Sequence, residues 1–207
     1  MPQEVPHAVV LRLPRYYRCL RELLNNDVIL VKSKELAEMM GITASQVRSD
    51  FNHFDNFGRQ GYGYNVKTLY TSINAILGIT DEYSAVIIGA GQLGIVLAGD
   101  SVFARRGVKL RGIFDADESI IGREITSDLN VLDMLDLEKF CKTKKIDIAV
   151  LTKFPECSEK LIKCGISGIW NFTGVALRNA GENVTVQDIF LGDTLMTLCY
   201  YMKRNEK

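Results

Sequence analysis

The pattern of apolar and polar positions changes near residue 80. Before it, apolar side chains recur three and four apart in short segments, the spacing of amphipathic helices. One helix opens at Leu13-Pro14 and carries Tyr17, Leu20, Leu23 and Leu24. Proline suits the first helical turn, where its missing N–H has no intrahelical partner. A second helix is predicted to take Ser33 as its N-cap, to carry Leu36, Ala37, Met39 and Met40, and to stop at Gly41. Thr43-Ala44-Ser45-Gln46 then reads as a capping box. In such a box the threonine hydroxyl accepts from the Gln46 N–H and the glutamine side chain reaches back. The helix it opens carries Val47, Phe51 and Phe54 on one face. Helix, Gly-Ile-Thr turn, helix is the order of a helix-turn-helix. Residues 57–66 alternate glycine with aromatic and polar residues, as a tight hairpin or wing does, and a helix over 67–77 ends at Gly78.

Past 78–82 the pattern becomes strand and helix in alternation. Apolar runs at 85–88, 111–114, 148–151 and 168–171 read as buried strands, with helical patterns between them, including 135–144 and 155–164. Such alternation predicts a parallel sheet covered on both faces. The last stretch, 186–207, reads as a solitary amphipathic helix bearing Ile189, Leu191, Leu195, Leu198, Tyr201 and Met202. The expected fold is therefore α/β with an N-terminal helical domain. A winged helix occupies 1–80, a Rossmann-like doubly wound parallel sheet 81–186, and a C-terminal helix 187–207.

Composition adds bounds. Of 207 residues 47% are hydrophobic and 24% charged, which excludes fibrous and wholly disordered chains. No apolar run approaches the roughly 20 residues that span a bilayer, and no signal segment is visible, so a cytoplasmic protein without a membrane partner is expected. Five cysteines, an odd number with no CxxC spacing, suggest neither a disulfide framework nor a metal site. The 25 basic and 25 acidic residues cancel, which at first argues against nucleic acid. The distribution softens that inference: residues 1–80 hold nine basic and seven acidic side chains, a net +2, and the remainder carries −2. Arg12, Arg15, Arg18 and Arg21 recur every three residues, so they share a face that either contacts phosphate or is simply solvated.

The candidate chemistry lies at Gly89-Ala90-Gly91-Gln92-Leu93-Gly94, a GxGxxG that follows one strand run and opens a helical one. In that context the motif marks a dinucleotide site: Gly89 for the turn, Gly91 for close approach of a pyrophosphate, Gly94 for packing of helix on strand. Phosphates would meet the helix N-terminus. Asp115 ends the second strand, 21 residues after Gly94, where a carboxylate accepts from the adenosine ribose hydroxyls and repels a 2′-phosphate, favouring NAD(H). The alternative is a glycine-rich turn in a domain that has lost its ligand. Catalysis is not expected. The only histidines, His7 and His53, lie outside the nucleotide half, and Lys153 and Asp100 are single charges near loops. A small NAD-dependent oxidoreductase with a helical partner domain is the enzyme alternative. An architectural DNA-binding protein with a purely structural dinucleotide is a third.

Taken in order, several stretches resemble the Rex family of redox-sensing transcriptional repressors. They are Arg12-Leu13-Pro14-Arg15-Tyr16-Tyr17-Arg18, Thr43-Ala44-Ser45-Gln46-Val47-Arg48, Phe57-Gly58 with Gly61-Tyr62-Gly63-Tyr64, and the glycine loop. Phe114-Asp115-Ala116-Asp117, Gly165-Ile166-Ser167-Gly168-Ile169 and Asn171-Phe172 complete the set. The resemblance covers nearly the whole chain. It implies a homodimer with swapped C-terminal helices that holds palindromic operator DNA when NADH is low and releases it when NADH is high. It places Ser45, Gln46, Arg48 and Ser49 of the recognition helix, with Arg59 and Gln60 of the wing, at DNA. Tyr64 is expected to pack under the hairpin. Gly89, Gly91, Gln92, Leu93, Gly94, Asp115, Thr152 and Lys153 would line the NADH/NAD+ pocket.

The chain also departs from the family pattern. Ser49, Asp55 and Gln60 stand where the family has Lys, Gly and Arg, each removing positive charge or adding negative charge at the DNA face. Lys153-Phe154 replaces a common Val-Pro, and Thr173-Gly174 a common Ala-Pro. In the family an arginine matching Arg18 couples with a tyrosine, which aligns with Asp100, and an aspartate, which aligns with Phe190. Only the arginine is kept. The resemblance thus also admits a divergent paralogue whose cofactor response is weakened.

Overall fold

The computed structural model describes residues 5–54, 63–178, 181 and 183–205. The chain divides into two compact units, Met1–Asp81 and Glu82–Lys207.

The first unit is built of α1 (His7–Val10), α2 (Leu13–Asn25), β1 (Leu30–Val31), α3 (Ser33–Met40), α4 (Ala44–Phe51), β2 (Tyr64–Asn65) and α5 (Val66–Ile76). Its core takes Leu13, Tyr16 and Leu20 from α2, Leu36, Ala37 and Met40 from α3, Val47 and Phe51 from α4, and Val66, Leu69 and Ile73 from α5. These are the three-and-four spacings of the sequence turned inward.

Two caps differ from expectation. The N-cap of α3 is Lys32, whose backbone N–H donates to the Glu35 carboxylate at 2.7 Å. Ser33 is instead the first helical residue, and its hydroxyl accepts from Arg48 at 3.2 Å. At α4 the Gln46 N–H does donate to Thr43 Oγ1, at 3.1 Å. The Gln46 side chain, however, does not reach back; its Nε2 donates to Asp50 Oδ1 at 2.8 Å. The buried Asp50 carboxylate makes a charge-assisted bond with the amide, stronger than the neutral bond to the solvated N–H of the helix start. β2 pairs antiparallel with β1, Val31 opposite Tyr64, so its partner precedes α3. Most of the expected wing, including Arg59 and Gln60, lies outside the described residues, as does Asp55.

Among the described residues the second unit holds a seven-stranded sheet. Its strands are β3 (Tyr83–Ile88), β4 (Val108–Asp115), β5 (Glu124–Thr126), β6 (Leu129–Asp133), β7 (Ile148–Leu151), β8 (Gly168–Asn171) and β9 (Thr185–Asp188). They lie in the order β5-β6-β4-β3-β7-β8-β9, parallel throughout except for β5 against β6. From β6 to β9 this is the Rossmann arrangement, in which the order reverses between the first strand and the fourth. The helices are α6 (Gln92–Gly99), α7 (Leu137–Lys144), α8 (Ser158–Lys163) and α9 (Leu191–Asn205). Side chains of β3 alternate between two cores: Val86 and Ile88 pack with Leu137, Cys141 and Leu161, and Ile87 packs with Ala98, Ile113 and Val150.

β5, β6 and β9 are not apparent as apolar runs. All three sit toward the sheet's ends and mix polar residues with apolar ones, which is how a half-buried strand reads. The helix expected over 186–207 accordingly begins only at Leu191. Val186 is in β9, paired in register with Ile169, so the sheet crosses the expected 186/187 boundary. On α9, Leu191, Leu195, Leu198 and Met202 form a stripe, each more than half exposed. Among the described residues no helix is long and apolar enough to cross a membrane.

Candidate dinucleotide crevice and DNA-facing helix

The crevice opens where β3, β4 and β7 end, on both sides of the reversal in strand order. The backbone leaves β3 through Gly89, whose N–H donates to Phe114 O at 2.7 Å and whose φ is +106°. A Cβ there would stand 2.6 Å from Thr152 Oγ1 and 2.9 Å from the Lys153 nitrogen. A Cβ on Gly94 would lie 1.9 Å from Gly89 O, so strand and helix touch where only glycine fits. The Thr152 hydroxyl lies 2.8 Å from Gly89 O and 3.1 Å from Ile88 O, tying the end of β7 to the loop. Gly91 is the N-cap of α6 and no side chain caps it. The first N–H groups of α6 therefore keep their capacity for an anion. Gln92 is exposed and Leu93 half-buried in the first turn. These residues fit a dinucleotide: a cradle that a side chain would fill, at an uncapped helix start.

Asp115 is where the sequence places it, but its bonds are different. It is 1% exposed. Its Oδ2 accepts from the Ala90 N–H at 2.7 Å and lies 3.4 Å from Lys153 Nζ. Its Oδ1 accepts from the N–H groups of Ala116 and Asp117, at 2.8 and 3.1 Å. A carboxylate offers about four acceptor positions, and all are engaged within the protein. The residue expected to read the ribose thus braces the loop. An exposed carboxylate at this strand end belongs to Asp117, which no spacing rule singles out. The Ser119 hydroxyl and N–H donate to it at 2.6 and 2.9 Å and hold its pKa below the ordinary aspartate value. Lys153, 46% exposed, lies across the loop, its Cε 3.2 Å from where a Gly91 Cβ would stand. At the end of β8 the buried Asn171 amide donates to Val175 O and Asp188, at 2.7 and 2.6 Å, and shapes the next loop.

On α4, Val47, Asp50 and Phe51 face inward, and Ser45, Arg48, Ser49 and Asn52 form the exposed face. Asn52 extends that face by one turn beyond the residues the sequence nominated. Gln46 is half-buried and committed to Asp50. Tyr64 packs edge-on against Phe51, with ring centroids 5.0 Å apart.

Asp50 is the centre of a network the sequence does not announce. Arg12 grips it with two bonds of 2.6 and 2.7 Å, and the Tyr16 hydroxyl donates at 2.9 Å. Burial opposes ionisation of Asp50, but the bonds from Arg12, Gln46 and Tyr16 outweigh it and leave its pKa below the usual value. Tyr16 is pushed up by the same burial and the same carboxylate. The arginine row is therefore divided in its uses. Arg12 anchors α2 to α4, Arg15 donates to Met40 O, and the Arg21 guanidinium sits 6.0 Å from the Tyr17 ring centroid.

Of the expected coupling residues, Arg18 is exposed in the first unit; Asp100 and Phe190 belong to the second. Asp100 caps the turn after α6, its carboxylate accepting from the Val102 N–H at 2.9 Å. Among the five cysteines Cys141 alone is buried, and burial raises it to about 11; Cys199 is exposed on α9.

Comparison with known proteins fits these two units in order. A family model described as a putative DNA-binding protein N-terminus matches residues 4–52, and one described as a CoA binding domain matches 80–175. The redox-sensing transcriptional repressor Rex of Caldanaerobacter subterraneus subsp. tengcongensis is 44% identical, over 98% of this chain and 91% of its own. Its counterpart from Clostridium novyi is 43% identical over 97% and 96%. Among solved structures, RSP, described as a Rex-family repressor, superposes with a TM-score of 0.89 at 40% identity, covering 99% of this chain and 96% of its own. A structure of RSP in complex with beta-NAD+ and operator DNA matches at 42% identity and 0.89, covering 99% and 95%. With likeness of this degree over both units, the chain belongs to the Rex family of redox-sensing transcriptional repressors.

Proposed function

We propose that the chain acts in the cytoplasm as a homodimeric repressor, binding palindromic operator DNA through α4 and releasing it when NADH occupies the crevice beside Gly89. One observation carries this reading. A single chain joins an exposed polar recognition face to a shaped dinucleotide loop, and a relative 42% identical was solved with both beta-NAD+ and operator DNA. The relatives are named as repressors, a class of regulators rather than enzymes.

Ser45, Arg48 and Ser49 meet the duplex in this reading, with Asn52 beside them and Arg59 and Gln60 from the expected wing. Gln46 contributes mainly by holding Asp50. Twofold symmetry gives one half-site to each subunit. The bare stripe on α9 supports the dimer, because a second copy can bury it. NADH drives release only as far as it binds one dimer arrangement better than the other. Arg18, Asp100 and Phe190 are the proposed points of coupling. Because Asp100 and Phe190 replace a tyrosine and an aspartate of the family pattern, a weakened cofactor response is the second reading.

Fluorescence anisotropy of a labelled palindromic duplex tests both. Release by micromolar NADH, with NAD+ much weaker, is the expected result. Equal operator affinity with and without either nucleotide would sink the sensing role. Arg48→Ala should weaken operator binding by about tenfold or more, since a guanidinium reading a base or phosphate is worth ~1–3 kcal/mol. The slope of log affinity against log salt should also flatten by about one if the contact is to phosphate. Unchanged affinity and slope would remove Arg48 from the interface.

A further inference from the structure

The expectation that this crevice rejects a phosphorylated ribose rests on a free carboxylate at Asp115. That carboxylate is not free. It is buried, it accepts three backbone N–H bonds, and Lys153 Nζ stands 3.4 Å from Oδ2. What the loop presents outward beside it is the half-exposed Lys153, stretched over Gly91 from the end of β7. In this fold the ribose 2′-oxygen lies at the carboxylate that ends the second strand, and a basic side chain there accommodates a 2′-phosphate. Lys153 is that basic side chain, although it arrives from the opposite side of the loop. Asp117 is the exposed opposing charge, with one oxygen already taken by Ser119.

We propose that Lys153 makes the crevice accept an adenosine diphosphate whose ribose carries an additional phosphate, so that NADP(H) binds as well as NAD(H). The inference rests on the crevice being a dinucleotide site and deepens that reading. On binding, the Lys153 ammonium turns from Asp115 to the ribose phosphate. Asp115 keeps its three backbone N–H donors, which need not move. The same chemistry would hold the 3′-phosphate of coenzyme A, so the two sources have to be distinguished.

Isothermal titration of the full chain with NADH, NADPH and coenzyme A tests this. The wild-type protein should bind NADPH within about tenfold of NADH, and more steeply with falling salt, because the extra phosphate adds a screened ion pair. Lys153→Met keeps the apolar stem over Gly91 and removes the ammonium; it should widen the NADPH-to-NADH ratio of dissociation constants by about tenfold or more. Asp117→Asn should narrow it. Coenzyme A binding that responds to the same two substitutions supports the same chemistry with the other source. NADPH and coenzyme A both more than about a hundredfold weaker than NADH, or a ratio unmoved by Lys153→Met, would overturn the inference while leaving the crevice a dinucleotide site. A folded protein that binds no nucleotide would overturn that reading and the inference with it.

Discussion

Gly94→Ala should abolish nucleotide binding and destabilise the nucleotide unit together. The added Cβ would stand 1.9 Å from Gly89 O and 3.1 Å from its carbonyl carbon, both backbone atoms with no rotamer to yield. Gly89 cannot retreat. Its N–H is held by Phe114 O, and Thr152 and Lys153 occupy the space behind it. Either α6 moves off β3 or the loop breaks from β4. Overpacking of this kind costs about 1–3 kcal/mol or more, and either movement undoes the cradle around Gly91. NADH affinity should fall by at least a hundredfold, with a drop in melting temperature of several degrees on the order expected for such a loss. A variant that melts and binds like the wild type would show that helix and strand approach less closely than described.

Asp50→Ala is the corresponding prediction for the other unit. The substitution leaves the Arg12 guanidinium, the Tyr16 hydroxyl and the Gln46 amide without their shared acceptor. Stranding one partner of a buried ion pair costs about 3–5 kcal/mol. Because the Arg12 side chain is 21% exposed and regains some water, the low end applies, about 3 kcal/mol. Denaturation followed by far-UV circular dichroism should show an early transition for this unit. Operator affinity should fall as well, although Asp50 is 1% exposed and cannot touch DNA.

The same network sets a pH dependence. Folding depresses the Asp50 pKa, so its contribution is complete above the unfolded value, about 4, and is lost as pH falls through the lower folded value. The wild-type unit should lose stability in acid over that window, and Asp50→Ala should lose that part of the slope. An identical acid profile in both proteins would assign the slope to other carboxylates.

Much of the fold was legible because it is local or periodic. The change from helical spacing to buried runs marks the change of unit, and GxGxxG leaves β3 and runs into the first turn of α6 as its glycines require. The Thr43 cap is a contact across three residues. What escaped depends on residues brought together from afar. Arg12 and Asp50 are 38 positions apart, so the arginine read as one of a row of surface charges. Position alone marks Asp115, but its partners come from the glycine loop, the residues just beyond β4, and the end of β7. No spacing rule joins those three. β9 is hidden in the sequence because Thr-Val-Gln-Asp alternates as a sheet-end strand does and merges with the helix that follows.

The brace around Asp115 has a thermodynamic consequence for ligand capture. A loop that folds only on binding contributes a large negative heat-capacity change and a cost in conformational entropy. Here Gly89 and Ala90 are already bonded to the end of β4, and the Thr152 hydroxyl holds the loop from the other side. The heat-capacity change of nucleotide binding, measured by titration at several temperatures, should therefore be modest and scale with the adenosine surface covered. A value of the size seen in coupled folding would mean that the loop is assembled by the ligand instead.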